Sequence, residues 1–236
     1  MTQTLVLVPG LNNTRAVFDA VVQALPPGVQ ALAQDNPALE SVEAIARALL
    51  QDLPDRFWLA GFSFGGYVAL AMLELASERI AGMAMVCTGP HADAPAAREK
   101  RLAALDAVAQ GHYAEMIERQ AANAFHPDSL SDTALMRARS AMVQAYGPER
   151  YVAHVRASMA RPDRSHLLDG GKPTLVVAAS HDTVITPASV ASYAAAIPGA
   201  RHHVVQGSGH LLPMERPAAL AALLAGWMQV GAPGSA

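Results

Sequence analysis

Three side chains suited to nucleophilic acyl transfer stand far apart in a chain of 236 residues. The first is a serine. In "LAGFSFGGYVAL", Leu59 to Leu70, Ser63 has a glycine two positions before it and another two after, and it follows an apolar run. Glycine is poor in strands and at helix starts, so Gly61 and Gly65 answer a steric demand. A hydroxyl held where a strand bends sharply into a helix projects clear of the backbone. Side chains two before and two after would collide with each other or with the following helix, and Gly66 lets that helix pack closely. The new helix turns its unpaired N–H groups toward the reacting centre, which makes the Phe64 N–H an oxyanion donor.

A serine nucleophile needs a base, and the base needs an orienting acid. Of nine histidines, His202 and His203 fall on opposite faces of one expected strand. His112, His126, His154 and His166 fall in a helical interval and are expected on the solvated surface. His91 follows the fourth strand, where it is a candidate for contact with substrate. His210 differs from all of these: "QGSGHLLPMERP" sets it in a Gly-Ser-Gly loop between the last strand and the last helix. For the acid, "VVAASHDTVITP" puts Asp182 just beyond the fifth strand. Each has a plain alternative: a helix cap for Ser63, a turn aspartate for Asp182, a water-satisfied loop histidine for His210. The chain order Ser63, Asp182, His210, with each on a strand-end loop, favours a catalytic triad.

The second oxyanion donor is expected from "LVLVPGLNN", where Gly10 permits close approach and the Leu11 N–H points at the substrate oxygen. Asn12 is the lesser candidate there, with helix capping as its alternative. Phe62 and Leu211, the chain neighbours of the two reactive side chains, complete the expected substrate contacts.

The elements that must position these residues alternate. Apolar runs predict strands at Thr4–Val8, Val29–Ala33, Phe57–Phe62, Ile80–Cys87, Thr174–Ala179 and His202–Val205. Helical patterns lie between them at Arg15–Leu25, Val42–Leu53, Gly65–Ser77, Ser189–Ala196 and Pro217–Met228. Continuous apolar strands separated by helices describe an α/β fold, a mostly parallel sheet of about six strands covered on both faces. Ligands of such sheets bind beyond the C-terminal strand ends, where all three reactive residues fall. Residues 91–170 interrupt the rhythm with helical patterns near Ala94–Ala109, Tyr113–Ala124, Asp132–Ala145 and Glu149–Ala160. They are expected to form a lid inserted in a core of residues 1–90 and 171–230, with a frayed tail at 231–236. Met116, Phe125, Met136, Met142, Tyr146 and Met159 could line a pocket under that lid, although at helical spacing packing between lid helices is the commoner role.

Composition narrows the classes. Lys and Arg number 17 against 20 Asp and Glu, which leaves no electrostatic footprint for nucleic acid or an anionic membrane. One cysteine, Cys87, excludes an internal disulfide framework and fits a reducing compartment. With no secretory signal pattern and no apolar run of about 20 residues, the expected location is the cytoplasm. Metal-ligand and nucleotide-phosphate motifs are absent, so no metal and no cofactor are expected.

On these motifs the sequence resembles the α/β-hydrolase superfamily, in particular its small bacterial serine hydrolases with a helical cap. "LVLVPG" is similar to that family's first core strand and oxyanion loop, and "GFSFGGYVAL" to its nucleophile elbow. "PTLVVAASHDTVITP" is similar to its acid strand, and "GSGHLLPMERP" to its histidine loop. Pro9 stands where many members carry histidine, but it leaves the following N–H groups intact. The resemblance implies a serine esterase acting on a small-molecule ester or lactone. The alternatives on the same triad are C–C or thioester hydrolysis, lyase or perhydrolase chemistry; a further alternative is a non-enzymatic small-molecule receptor.

Overall fold

The computed structural model describes residues 2–230, so the tail expected at 231–236 lies outside the described residues. Six strands form one sheet: β1 (Gln3–Val8), β2 (Val29–Ala33), β3 (Phe57–Phe62), β4 (Ile80–Val86), β5 (Thr174–Ala179) and β6 (Arg201–Val205). Their order is β2-β1-β3-β4-β5-β6, and every pair is parallel. Every residue of β3 and β5 is buried, the state expected of central strands covered on both faces. At the β6 edge His202 and His203 are both exposed.

One face of the sheet carries α1 (Asp19–Ala24), entered through a 3-10 turn at Arg15–Phe18, together with α9 (Pro217–Val230). Phe18, Trp58, Phe62, Leu224 and Trp227 pack there. The Trp58 and Trp227 rings meet edge to face at 4.7 Å. The other face carries α2 (Val42–Leu50), α3 (Phe64–Leu75) and α7 (Pro187–Ala194), packed on Val6, Leu59, Met83 and Val176. A short helix, α8 (Leu212–Glu215), follows the loop after β6 and has no counterpart among the expected elements.

Only helical elements lie between β4 and β5: α4 (Pro95–Ala109), α5 (Tyr113–Ala124), α6 (Thr133–Ala160) and two 3-10 turns. The two helices expected over the last part of the insertion are both present within α6, separated by a kink where Gly147 leaves helical geometry (φ 78, ψ 163) and Pro148 follows. Proline has no N–H to continue the ladder, and glycine adopts a left-handed φ without steric cost. This insertion has an apolar cluster of its own around Tyr113, Met116, Ile117, Tyr146 and Tyr151, with Met159 partly buried against it. Phe125 and Met142 instead join the core beside Leu211, with Met136 packed against them. The six residues considered for a pocket lining, Met116, Phe125, Met136, Met142, Tyr146 and Met159, thus all pack within or against these two clusters. Arg164 ties the insertion to α2 and α3 through Glu43 at 2.6 Å and Glu74 at 2.8 Å. None of the described helices is long and apolar enough to cross a membrane.

One expectation for the insertion is corrected here. His154 is not on the surface: it is fully buried and stacked 4.8 Å from the Phe64 ring. The α6 helix turns that face onto the start of α3, a pairing invisible in local pattern.

Candidate active site

Ser63 joins β3 to α3 at φ 52, ψ −119, a left-handed conformation unusual for any side-chain-bearing residue. Three glycines make room for it. A Cβ on Gly61 would lie 2.5 Å from the Gly65 carbonyl oxygen, and one on Gly66 would run into Thr88. Gly65 meets a neighbour that sequence reasoning missed, because its Cβ would strike the Val8 carbonyl at the end of β1. The bend is pinned by the Ser63 N–H donating to the Val86 carbonyl at 2.9 Å and by Thr88 Oγ1 donating to the Ser63 carbonyl at 2.7 Å.

The structure brings Ser63, Asp182 and His210 together. His210 Nε2 lies 2.8 Å from Ser63 Oγ, and His210 Nδ1 lies 2.7 Å from Asp182 Oδ2. Asp182 is 3% exposed, and its other oxygen, Oδ1, accepts the Val184 and Ile185 N–H groups, both at 2.8 Å. With both oxygens engaged, the carboxylate cannot rotate away from the imidazole. Cys87, also at positive φ, is buried beside it. Burial first, and the Asp182 charge second, push its thiol well above the usual range, so it stays protonated and inert.

The His210 loop rests on a residue not singled out in the sequence. Glu215 of α8 is 8% exposed. Its Oε2 accepts the Gly209 N–H at 2.8 Å and the Ser208 hydroxyl at 3.3 Å, while Oε1 accepts the His126 N–H and the Ser129 hydroxyl, both at 2.7 Å. One buried carboxylate thus joins the histidine loop to the insertion. Gly209 permits the approach, since a Cβ there would sit 2.5 Å from the Phe125 carbonyl carbon. The Leu211 N–H donates to the Ala124 carbonyl at 3.0 Å and continues the seam. The only sequence signal for Glu215 is an acid five residues beyond the histidine.

Residues Gly10 to Asn13 form a β-turn closed by the Asn13 N–H on the Gly10 carbonyl at 3.2 Å. The Leu11 and Phe64 N–H groups have no hydrogen-bond acceptor among the described residues. Asn12, at φ 59, is 4% exposed and accepts from the Tyr113 hydroxyl at 3.0 Å on its own side-chain oxygen. Phe62 is fully buried, with its ring centroid 5.3 Å from that of His210, and Leu211 is 2% exposed. His91 is the remaining candidate for substrate contact. Its imidazole lies largely on the surface, with Nδ1 3.0 Å from Asp163. It borders a recess of about 150 Å³ shared with Tyr67, Thr88, Arg161 and Tyr193. The surface pairing with Asp163, 72 residues away, has no sequence signature.

A parallel six-stranded sheet with a glycine-flanked serine at a sharp turn after β3 defines a class of α/β folds. The family model described as the alpha/beta hydrolase fold matches residues 3–217, and the chain belongs to that family. Among solved structures it is similar to a thermophilic esterase from Thermogutta terrifontis, at 23% identity and TM-score 0.90 over 98% of this chain and 91% of that one. An enol-lactonase from Burkholderia xenovorans LB400 aligns at 20% identity and TM-score 0.84 over 97% and 92%. A bromoperoxidase from Bacillus anthracis aligns at 15% identity and TM-score 0.79 over 98% and 92%. At these identities the likeness is one of fold. No curated protein matches the chain in sequence.

Proposed function

We propose that the protein hydrolyses a carboxylic ester or lactone through an acyl-enzyme on Ser63. The observation that carries this reading is the hydrogen-bonded line from Ser63 Oγ through His210 to Asp182, at 2.8 and 2.7 Å. Ser63 Oγ attacks the carbonyl carbon while His210 Nε2 takes its proton. The carbonyl oxygen becomes an oxyanion held by the Leu11 and Phe64 N–H groups. Asp182 keeps the proton on Nδ1 and stabilises the imidazolium. Collapse of the tetrahedral intermediate breaks the bond to the leaving oxygen, which receives its proton from His210. Water, deprotonated by the same imidazole, then attacks the acyl-enzyme and releases the acid.

Phe62, Leu211 and Asn12 are the proposed substrate contacts beside the reacting carbon. The charge balance of the insertion, nine Arg and one Lys against ten acids, supports an uncharged or weakly polar substrate. Likeness to an esterase and an enol-lactonase makes esters and lactones the first compounds to assay. The test is a panel of p-nitrophenyl esters of increasing acyl length and of simple lactones, run with wild type and Ser63→Ala. The variant is expected to lose about 10⁴-fold or more in kcat. Turnover near the wild-type level in that variant removes Ser63 from the mechanism. A single acylation with no sustained product release turns the reading toward a receptor.

A further inference from the structure

The turn that carries the Leu11 N–H is gripped from two sides. In a β-turn the second residue's N–H has no partner within the turn, so its direction depends on whatever holds the plane of the turn. From the core, the elbow holds it: a Cβ on Gly10 would lie 3.1 Å from Ser63 Cβ and from the Phe62 ring. From the insertion, Arg139 of α6 holds it. Arg139 Nη1 donates to the Asn12 carbonyl and, at 3.2 Å, to Asn13 Oδ1. Asn13 in turn donates through Nδ2 to the Leu11 carbonyl at 2.7 Å. Tyr113 of α5 anchors the Asn12 side chain and donates to the Val143 carbonyl at 3.2 Å. Asn12 itself stands at φ 59, a conformation that persists where surrounding contacts over-determine it.

The choice of an arginine is informative. Burial pulls its guanidinium down to about 10, and the only ionisable groups that act on it are the neutral hydroxyls of Tyr113 and Tyr146, with no carboxylate among them. A largely buried cation normally needs an acid partner to offset its desolvation. Here its donors are directed to the backbone and side chain of one turn.

We propose that Arg139 is a positioning residue of the oxyanion hole, holding the Asn12 carbonyl and the Asn13 carboxamide so that the Leu11 N–H is aimed at the developing oxyanion. The hole is then complete only while the insertion is seated on the core. This inference rests on the reading of Ser63 as nucleophile.

The test compares wild type, Arg139→Met, Arg139→Lys and Ser63→Ala. Two p-nitrophenyl esters are used, neutral p-nitrophenyl acetate and anionic mono-p-nitrophenyl succinate. Inactivation by diethyl p-nitrophenyl phosphate, whose phosphoryl oxygen occupies the same hole, is followed alongside. R139M is expected to lose about 10- to 100-fold in kcat on both esters, because a misaligned donor costs up to the loss of one donor. KM should change less than about threefold. Inactivation should slow by the same factor as kcat, and R139K should recover part of both rates. Wild-type kcat and inactivation rate in R139M overturn the proposal. So does a rise in KM confined to the anionic ester, which assigns the guanidinium to substrate binding. If R139M does not fold, Arg139→Gln takes its place, since its uncharged carboxamide ends two bonds short of the Nη1 position from which both contacts are made; wild-type values for both rates in R139Q overturn the proposal. Wild-type-like turnover in S63A marks the separate failure of the nucleophile reading.

Discussion

Ser63 sits in a backbone conformation that costs roughly 1–3 kcal/mol, and three neighbouring glycines are what the surrounding structure supplies in return. Gly65 is the least replaceable, because its Cβ would come within 2.1 Å of the rigid Val8 carbonyl oxygen, closer than the nearest contact at Gly61 or Gly66. Gly65→Ala is expected to destabilise the fold by about 3 kcal/mol and to lower Tm by roughly 6–12 °C, readable by thermal unfolding. Glu215 is the other residue on which the site's geometry turns. It accepts four hydrogen bonds, whereas a carboxamide in its place would turn an N–H toward a backbone donor. Glu215→Gln should cost about 2–3 kcal/mol, as expected for a buried donor left without an acceptor. Because His210 loses its support, kcat should fall while KM changes little. An unchanged kcat in a folded E215Q protein would show that the histidine loop holds its place without it.

The decisive element is α6, two helices that meet at the Gly147 kink. Its first half carries Arg139 to the turn at Asn12, and its second half carries His154 to the start of α3. His154 Nε2 lies 2.7 Å from the Pro37 carbonyl, and its Nδ1 is hydrogen-bonded to the Tyr146 hydroxyl. With a carbonyl on one nitrogen, the neutral ring donates from Nε2 and accepts at Nδ1, so protonation breaks the bond from Tyr146. Burial lowers its pKa to about 4, from an ordinary value of 6.5. The unfolded chain therefore binds this proton between pH 6.5 and 4 while the folded protein does not. Stability from this group is complete above about pH 6.5 and is lost as pH falls toward 4, by about 3 kcal/mol in all. Urea unfolding at pH 7, 5.5 and 4.5, for wild type and His154→Phe, should show a steeper loss in the wild type. Parallel losses would mean that the imidazole does not bind its proton differently on folding.

At the scale of the whole molecule, one all-parallel sheet places the loops after β3, β5 and β6 at a single edge, which is why residues 28 and 147 positions from His210 meet on it. The six strands were legible within about one residue, because central parallel strands are unbroken apolar runs whose bounds are punctuated by proline, glycine and polar residues. The elbow was legible because a backbone bent that tightly admits only glycine at fixed offsets from Ser63. Asp182 and His210 were legible as chemistry-bearing residues on strand-end loops. His154 was misplaced, and Arg139, Tyr113 and Glu215 were passed over, for one reason. Their partners lie 101 to 127 residues away at Asn12 and Pro37, or 86 and 89 away at Ser129 and His126. The sequence by itself determined what local sterics and hydrophobic period can encode: the layers of the fold, the bend at Ser63, and the strand-end loops that carry Asp182 and His210. Only the tertiary structure decided which polar groups of the insertion face the Gly10–Asn13 turn and the His210 loop, because a hydrogen bond between distant segments leaves no periodic trace in either of them.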